Sequence, residues 1–109
     1  MFYRLADTDV AAWAQASGDR NPIHLLPRRA AEAGLSAGSG EVVAHGLLLG
    51  AISLALVQSS PLRRIGLVFI DSADVPVSQC GPGKPWATLT VDPASGDIIQ
   101  GRRPVLRRR

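Results

Sequence analysis

The chain has 109 residues, of which 46% are hydrophobic and 19% are charged, and its net charge is +3. This length fits a single domain, predicted over residues 1–109, and this balance favours a globular fold over a disordered chain. The excess of arginine invites a nucleic-acid hypothesis, but the arginine pairs lie in four separate places without interleaved aromatic residues, which argues against it.

The first third of the chain predicts a strand and a helix that lead into a shaped loop. Alternating residues over 2–5 indicate a short strand. Apolar residues at helical spacing then predict a helix that is capped at Asp7 or Thr8 and stops near Gly18. Turn-forming residues over 17–27 predict a loop of defined shape, the kind of segment that often carries function.

A short helix, a connection and a long apolar helix are predicted next. Residues 28–33 favour a helix, and the Gly/Ser-rich stretch 35–40 predicts a flexible connection. Residues 46–59 carry no charge and no polar face, so we expect a helix buried on nearly all sides. The apolar stretch Val42–Val57 is shorter than the ~20 residues that cross a bilayer.

The last part of the chain predicts a sheet. Apolar and β-branched stretches over 65–70, 86–91 and 98–106 indicate three strands, and residues 93–97 are typical of a hairpin connection. Helices followed by strands favour an α+β fold with a mostly antiparallel sheet. Cys80 is the single cysteine and the N-terminal residues lack a signal-peptide pattern, so a reducing, cytoplasmic setting is expected.

Two short segments carry the candidate chemistry. In Ser-Gly-Asp-Arg-Asn-Pro-Ile-His over 17–24, Asp19 and His24 are close enough in sequence to converge on one water molecule as an acid/base pair. The spacing alone is weak evidence for such a pair, because an aspartate is often a helix cap and a lone histidine is often a core residue. In Val-Ala-His-Gly-Leu-Leu over 43–48, Gly46 begins the apolar helix, where unpaired backbone N–H groups would form an oxyanion hole.

These two segments, in this order and spacing, resemble the signature of MaoC-like dehydratases and (R)-specific enoyl-CoA hydratases. The resemblance covers roughly residues 3–57 well. It implies a hotdog fold, in which a long central helix is wrapped by an antiparallel sheet and dimers join at their sheet edges. It also implies a hydro-lyase that adds or removes water across the 2,3 double bond of an acyl thioester.

The resemblance assigns roles to individual residues. Asp19 and His24 would hold and polarise the catalytic water, and the N–H of Gly46 would bind the thioester carbonyl oxygen. Asn21 would fix the loop, and His45 would orient the loop or pack beneath the site. Both are counted among the substrate-binding residues. The family commonly has an acidic residue two positions after the motif histidine, whereas this chain has leucines, which predicts a more apolar site.

The substrate is expected to arrive as a coenzyme A or acyl-carrier-protein thioester, with no cofactor beyond that group. Arg63 and Arg64 are candidates for binding its phosphates, as are Arg28 and Arg29. No metal is expected, because Cys80, His24 and His45 form no recognisable ligand cluster in the sequence. Because only three strands are predicted after the helix, the sheet is expected to be short, and a homo-oligomer would cover its edges. Two alternatives stay open: a hotdog thioesterase, and a non-catalytic subunit of a heteromeric hydratase.

Overall fold

The structure is a computed structural model, and it describes residues 1–35, 40–57, 66–77 and 86–109. These residues form three α-helices, one short 3₁₀ turn at Pro22–His24, and seven strands. The helices and strands are β1 Phe2–Ala6, α1 Asp7–Ser17, α2 Pro27–Glu32, β2 Glu41–Val43, α3 Gly46–Leu56, β3 Leu67–Phe69, β4 Asp74–Pro76, β5 Trp86–Val91, β6 Ile98–Gln100 and β7 Arg103–Arg108.

Helix α1 follows strand β1 without a connecting loop. The N–H of Ala6 donates to the Asp9 carboxylate at 2.9 Å, so Ala6 is the N-cap and the predicted cap at Asp7 or Thr8 is wrong. Because β1 runs directly into the helix, a carboxylate reaching back from the first turn satisfies the free donor instead. The helix ends at Gly18, whose φ of 79° is the left-handed conformation that glycine favours, and this end was predicted.

The strands form one five-stranded and one two-stranded antiparallel sheet. In the larger sheet the order is β1-β5-β6-β7-β3, so β1 and β3 are its edges. The smaller sheet pairs β2 with β4, and Val43 lies opposite Asp74. Strand β2 leads directly to the start of α3, and this connection places the second predicted motif beside the smaller sheet.

Five strands follow α3 in the described residues, so the prediction of three strands is wrong. The apolar stretch 98–106 is two strands, because Gly101 with φ 64° turns the chain between β6 and β7. Strand β4 was missed because it contains an aspartate and a proline, both of which are depleted in strands. The predicted hairpin over 93–97 is confirmed between β5 and β6.

Helix α3 is confirmed over 46–56, and it is buried on one side rather than on nearly all sides. Leu48, Leu49 and Ile52 are in the core. In contrast, Leu47 is 66% exposed, and Ala55, about two turns further along the helix, is also exposed. The all-apolar sequence thus gives a helix with an uncovered apolar stripe in the single chain. None of the described helices combines the length and hydropathy that a membrane crossing requires.

Small residues on α3 let strand β3 come close to the helix. A Cβ built on Gly50 would lie 2.7 Å from a methyl carbon of Leu67, and one on Gly46 would lie 3.1 Å from the ring of Phe69. Gly46 and Gly50 are four residues apart and share one helix face. Leu67 and Phe69, which alternate along β3, pack against this face. The contact fixes β3 beside the N-terminal end of α3.

Candidate active site

The loop after α1 is held by its own side chains. The Ser17 hydroxyl accepts from the N–H of Asp19 at 3.2 Å, and one Asp19 carboxylate oxygen accepts from the N–H of Asn21 at 3.3 Å. The Asn21 side chain in turn accepts from the N–H of Ile23 at 3.2 Å. Consecutive turns of this type are the ordinary use of Ser, Asp and Asn in loops. They fix the direction of the Asp19 carboxylate.

The 3₁₀ turn that follows places His24 inside the protein. Pro22 begins the turn with a preset φ, and the His24 side chain is 8% exposed. Its Nδ1 lies 2.6 Å from the carbonyl oxygen of Val43. Because a carbonyl only accepts, Nδ1 carries the proton, and in the neutral ring Nε2 is an acceptor.

That acceptor faces the remaining oxygen of Asp19. The distance between His24 Nε2 and Asp19 Oδ2 is 3.9 Å, which is too long for a direct hydrogen bond. If a water oxygen lay ~2.8 Å from each of these two atoms, the angle between the two contacts at the water would be roughly 90°. The Asp19 side chain is 57% exposed, so solvent has access to this position. The pair can therefore share one water molecule.

The surroundings favour the neutral form of His24. Burial lowers the pKa of His24 below its ordinary value of 6.5, and the neighbouring His45 lowers it further. The hydrogen bond to Val43 and the charge of Asp19 act in the opposite direction, but the net shift in pKa is downward. A neutral imidazole with a free Nε2 is able to accept a proton from water.

His45 contacts both members of this pair. Its Nε2 donates to the backbone carbonyl of Asp19 at 2.8 Å, and its ring stacks on that of His24 with centroids 3.6 Å apart and an interplanar angle of 21°. The residue is 2% exposed and is also the N-cap of α3. The structure thus brings the two histidines, which are 21 positions apart in sequence, into direct contact.

Gly46 is the first residue of α3, directly after His45. The first N–H groups of a helix have no acceptor within the helix, and the helix dipole is positive at this end. The Phe69 ring lies against Gly46, and it is 50% exposed. An apolar ring therefore borders the predicted oxyanion position.

Exposed leucines lie next to the site residues along the chain. Leu25 and Leu26 follow His24 and are 39% and 50% exposed, and Leu47 follows Gly46. Isolated exposed leucines need no explanation, but these adjoin the candidate catalytic residues on both motifs. They agree with the expectation of an apolar site.

Asp19, His24 and His45 each offer one possible metal-ligand atom, and these atoms lie within 4.8 Å of one another. In the fold, His24 and His45 therefore do lie in a group that could hold a metal ion, although the sequence shows no such cluster. The stacking nevertheless disfavours a shared ion, because a metal binds in the plane of an imidazole at about 2.1 Å from nitrogen. The planes of two stacked rings whose centroids are 3.6 Å apart and whose interplanar angle is 21° do not meet that close to the rings.

The predicted phosphate-binding residues Arg63 and Arg64 lie outside the described residues, as do Cys80 and most of the predicted connection 35–40. Arg28 and Arg29 are on α2, where each forms an exposed ion pair with Glu32, at 3.8 and 3.9 Å. Surface pairs of this kind contribute little to stability, so both side chains remain available to an anion.

Sequence reasoning missed three parts of the site: the carbonyl of Val43, the stacking of the histidines, and the Phe69 ring. A carbonyl contact leaves no trace in residue type, because every residue has one. Phe69 is one apolar residue in an apolar strand and carries no local signal. The pair of histidines within two motif segments was visible, but its stacking depends on the tertiary fold.

The fold is mixed, and the Asp19 carboxylate and the buried His24 lie beside His45, the N-cap of the apolar helix α3. This arrangement defines a candidate acid/base enzyme. The family model described as the MaoC like domain matches residues 3–73, and the chain belongs to that family. The R-hydratase PhaJ1 from Pseudomonas aeruginosa, in its unliganded form, has a similar structure with a TM-score of 0.60 and 22% sequence identity. The match covers 99% of this chain and 73% of that chain.

A comparison with curated protein sequences gave no significant match. The predicted family and the hotdog fold are confirmed by the family model and the structural match. Membership of a dehydratase family also supports the predicted enzyme class, a hydro-lyase. The roles of the individual site residues stay predictions.

Proposed function

We propose that this protein is a hydratase/dehydratase that adds or removes water across the 2,3 double bond of an acyl thioester. The observation that carries the proposal is the 3.9 Å separation of Asp19 Oδ2 and His24 Nε2, with His24 held in the tautomer that leaves Nε2 free. The family of the chain supports the same reaction.

In the hydration direction, Asp19 accepts a hydrogen bond from one O–H of the bound water and orients it. The neutral His24 accepts the other proton at Nε2 as the water oxygen forms its bond to C3. The electron pair of the double bond moves toward the thioester carbonyl, and the N–H of Gly46 stabilises the negative charge on that oxygen. The His24 imidazolium then gives the proton to C2, which restores the neutral site.

Dehydration is the reverse sequence through the same groups. His24 removes a proton from C2 of the 3-hydroxyacyl thioester and returns it to the leaving hydroxyl. The same interactions lower the barrier in both directions, so the substrate concentrations set the net direction.

The thioester is proposed to be carried on coenzyme A or on an acyl carrier protein. Both carriers bear phosphates, which arginine side chains bind through paired N–H groups. Arg28 and Arg29 are exposed on α2, only a few residues after His24. If they bind the carrier, the KM should rise with ionic strength while kcat changes little.

The protein is proposed to be a homo-oligomer. The uncovered stripe of α3 includes Leu47 and Ala55, and the edge strands β1 and β3 leave backbone groups without a partner strand in the described sheet. Association would bury both features. Sedimentation at low micromolar concentration tests the oligomeric state, and a folded monomer with a concentration-independent melting temperature would contradict it.

The proposed reaction is tested with a panel of crotonyl, longer 2-enoyl and 3-hydroxyacyl thioesters. We expect the enoyl absorbance to fall without release of free thiol, and Asp19→Asn to abolish most of this change. Release of thiol with the enoyl group intact would identify a thioesterase instead. Activity that appears only with a co-purified second hotdog chain would identify a subunit of a heteromeric enzyme.

A further inference from the structure

Among the described residues, the buried imidazole of His45 is the one titratable side chain at the site that the proposed reaction does not use. It is 2% exposed, less than His24, and touches Asp19 and His24 through different parts of its ring. Burying a polar ring is costly unless its contacts compensate. A residue in this position therefore needs a structural or functional reason.

We infer that His45 is a positioning residue that joins the two members of the acid/base pair into one rigid unit. This inference rests on the proposed function for its meaning, since Asp19 and His24 are the residues that it positions. The hydrogen bond from His45 Nε2 holds the backbone of Asp19, and the ring stack holds the plane of His24.

The proton of His45 is located by its partners. The Asp19 carbonyl only accepts, so Nε2 carries the proton in the neutral ring, and Nδ1 is then a bare acceptor. Among the described residues, no hydrogen bond reaches this buried Nδ1 atom. His45 is thus suited to hold its neighbours, through its Nε2 proton and through the face of its ring.

The same stack couples the charge of the two rings. Two imidazolium groups stacked at 3.6 Å repel each other, so a proton on one disfavours a proton on the other. Among the described residues, Asp19 and His45 are the titratable groups that act on His24, and they act in opposite directions. His45 therefore helps to keep His24 in the neutral form that the water position requires.

His45 also connects the pair to the oxyanion position. Its backbone caps α3, where the N–H of Leu49 donates to the His45 carbonyl at 3.2 Å, and Gly46 is the next residue. A shift of this residue would move the Asp19 loop, the His24 ring and the Gly46 N–H together. Catalytic groups tolerate little displacement, so the predicted effect is on kcat more than on KM.

Two substitutions separate the contacts of His45. In His45→Gln the side-chain amide nitrogen replaces Nε2 and keeps a donor for the Asp19 carbonyl, but the ring stack is lost. In His45→Phe a ring remains against His24, but the donor is lost. We expect kcat to fall about threefold in the first variant, which loses an aromatic contact. In the second variant we expect a fall of about tenfold, which is typical of losing one hydrogen bond.

The decisive measurement is a proton NMR titration of the untagged protein without substrate. The chain contains only two histidines, so each variant at position 45 leaves a single imidazole signal, and His24→Asn identifies the other. In both His45 variants we expect the midpoint of His24 to move to higher pH, because the charge repulsion from the second imidazole is gone. The acid limb of the kcat/KM profile should move in the same direction.

An unchanged His24 midpoint in both variants would overturn the inference, and so would a kcat that equals that of wild type. If His45→Phe does not fold, His45→Gln alone decides, since its amide is close in size to imidazole. The NMR titration needs no turnover, so a protein that lacks hydratase activity would still show the coupling. Failure of the proposed function and failure of this inference are therefore separable.

Discussion

Removing either member of the acid/base pair should abolish most of the turnover, and removing both should cost scarcely more. The structure selects the variants. Asp19→Asn keeps an oxygen for the N–H of Asn21, and His24→Asn keeps a side-chain amide nitrogen near the position of Nδ1, where it can still donate to Val43. Both variants keep these loop contacts, so folding should survive.

The magnitude follows from the shared water position. General acid/base assistance typically contributes about 10²–10⁴-fold in rate, which corresponds to about 2.7–5.4 kcal/mol of barrier. If the two residues acted independently, the double variant would lose about 10⁴–10⁸-fold. Because Asp19 Oδ2 and His24 Nε2 lie 3.9 Å apart and serve one water molecule, we expect the double variant to resemble the slower single variant.

The assay is kcat for hydration at saturating concentration of the best enoyl thioester of the panel. Circular dichroism and the melting temperature of each variant serve as folding controls. Turnover by both single variants within about threefold of wild type would refute the assignment. A double variant that loses the product of the two single losses would show that Asp19 and His24 serve different steps.

Four further results are expected. Because burial lowers the pKa of His24 below its ordinary value of 6.5, the acid limb of the kcat/KM profile should have its midpoint below pH 6.5, and a pH–rate profile checks this. The unfolded chain takes up this proton near pH 6.5 and the folded protein takes it up only at lower pH, so urea titrations should show the free energy of unfolding falling as the pH drops through about 6.5. Gly50→Ala places a Cβ 2.7 Å from Leu67 and should destabilise by about 1–3 kcal/mol in a urea titration, with partial recovery when Leu67→Ala is added. Ser53→Ala should cost about 1–3 kcal/mol without changing kcat/KM, because it removes a 2.6 Å hydrogen bond to the buried carbonyl of Gly96.

The sequence predicted the elements whose signals are local. Gly18 ends α1 as expected, because a left-handed residue after a helix is a strong and specific requirement. Strand β5 spans the predicted residues 86–91, since its alternating burial repeats within the strand itself. The hairpin that follows is fixed by the Asp92 side chain, which accepts from the N–H of Ala94 at 2.8 Å.

The errors arise where tertiary contacts decide. Strand β4 pairs with β2 although Asp74 and Pro76 are poor strand formers, because the strand lies at the edge of a two-stranded sheet. Gln100 compensates there, since its side chain accepts from the Asp74 N–H at 2.9 Å and donates to the Asp74 carbonyl at 2.7 Å. A side-chain amide that replaces a strand neighbour cannot be recognised from residue pattern alone.

The candidate site combines both situations. The motif segments contain Asp19 and His24, and the structure brings these two side chains together as the spacing suggested. What orients them comes largely from the backbone: the carbonyl of Val43 sets the tautomer of His24, and the carbonyl of Asp19 receives the His45 ring. Because any residue supplies a carbonyl, a motif records the groups that react and omits much of what aligns them. Strand β2 therefore contributes to the site through the backbone carbonyl of Val43 and not through a side chain. Substitutions of Val43 that preserve the strand should leave the tautomer of His24 unchanged.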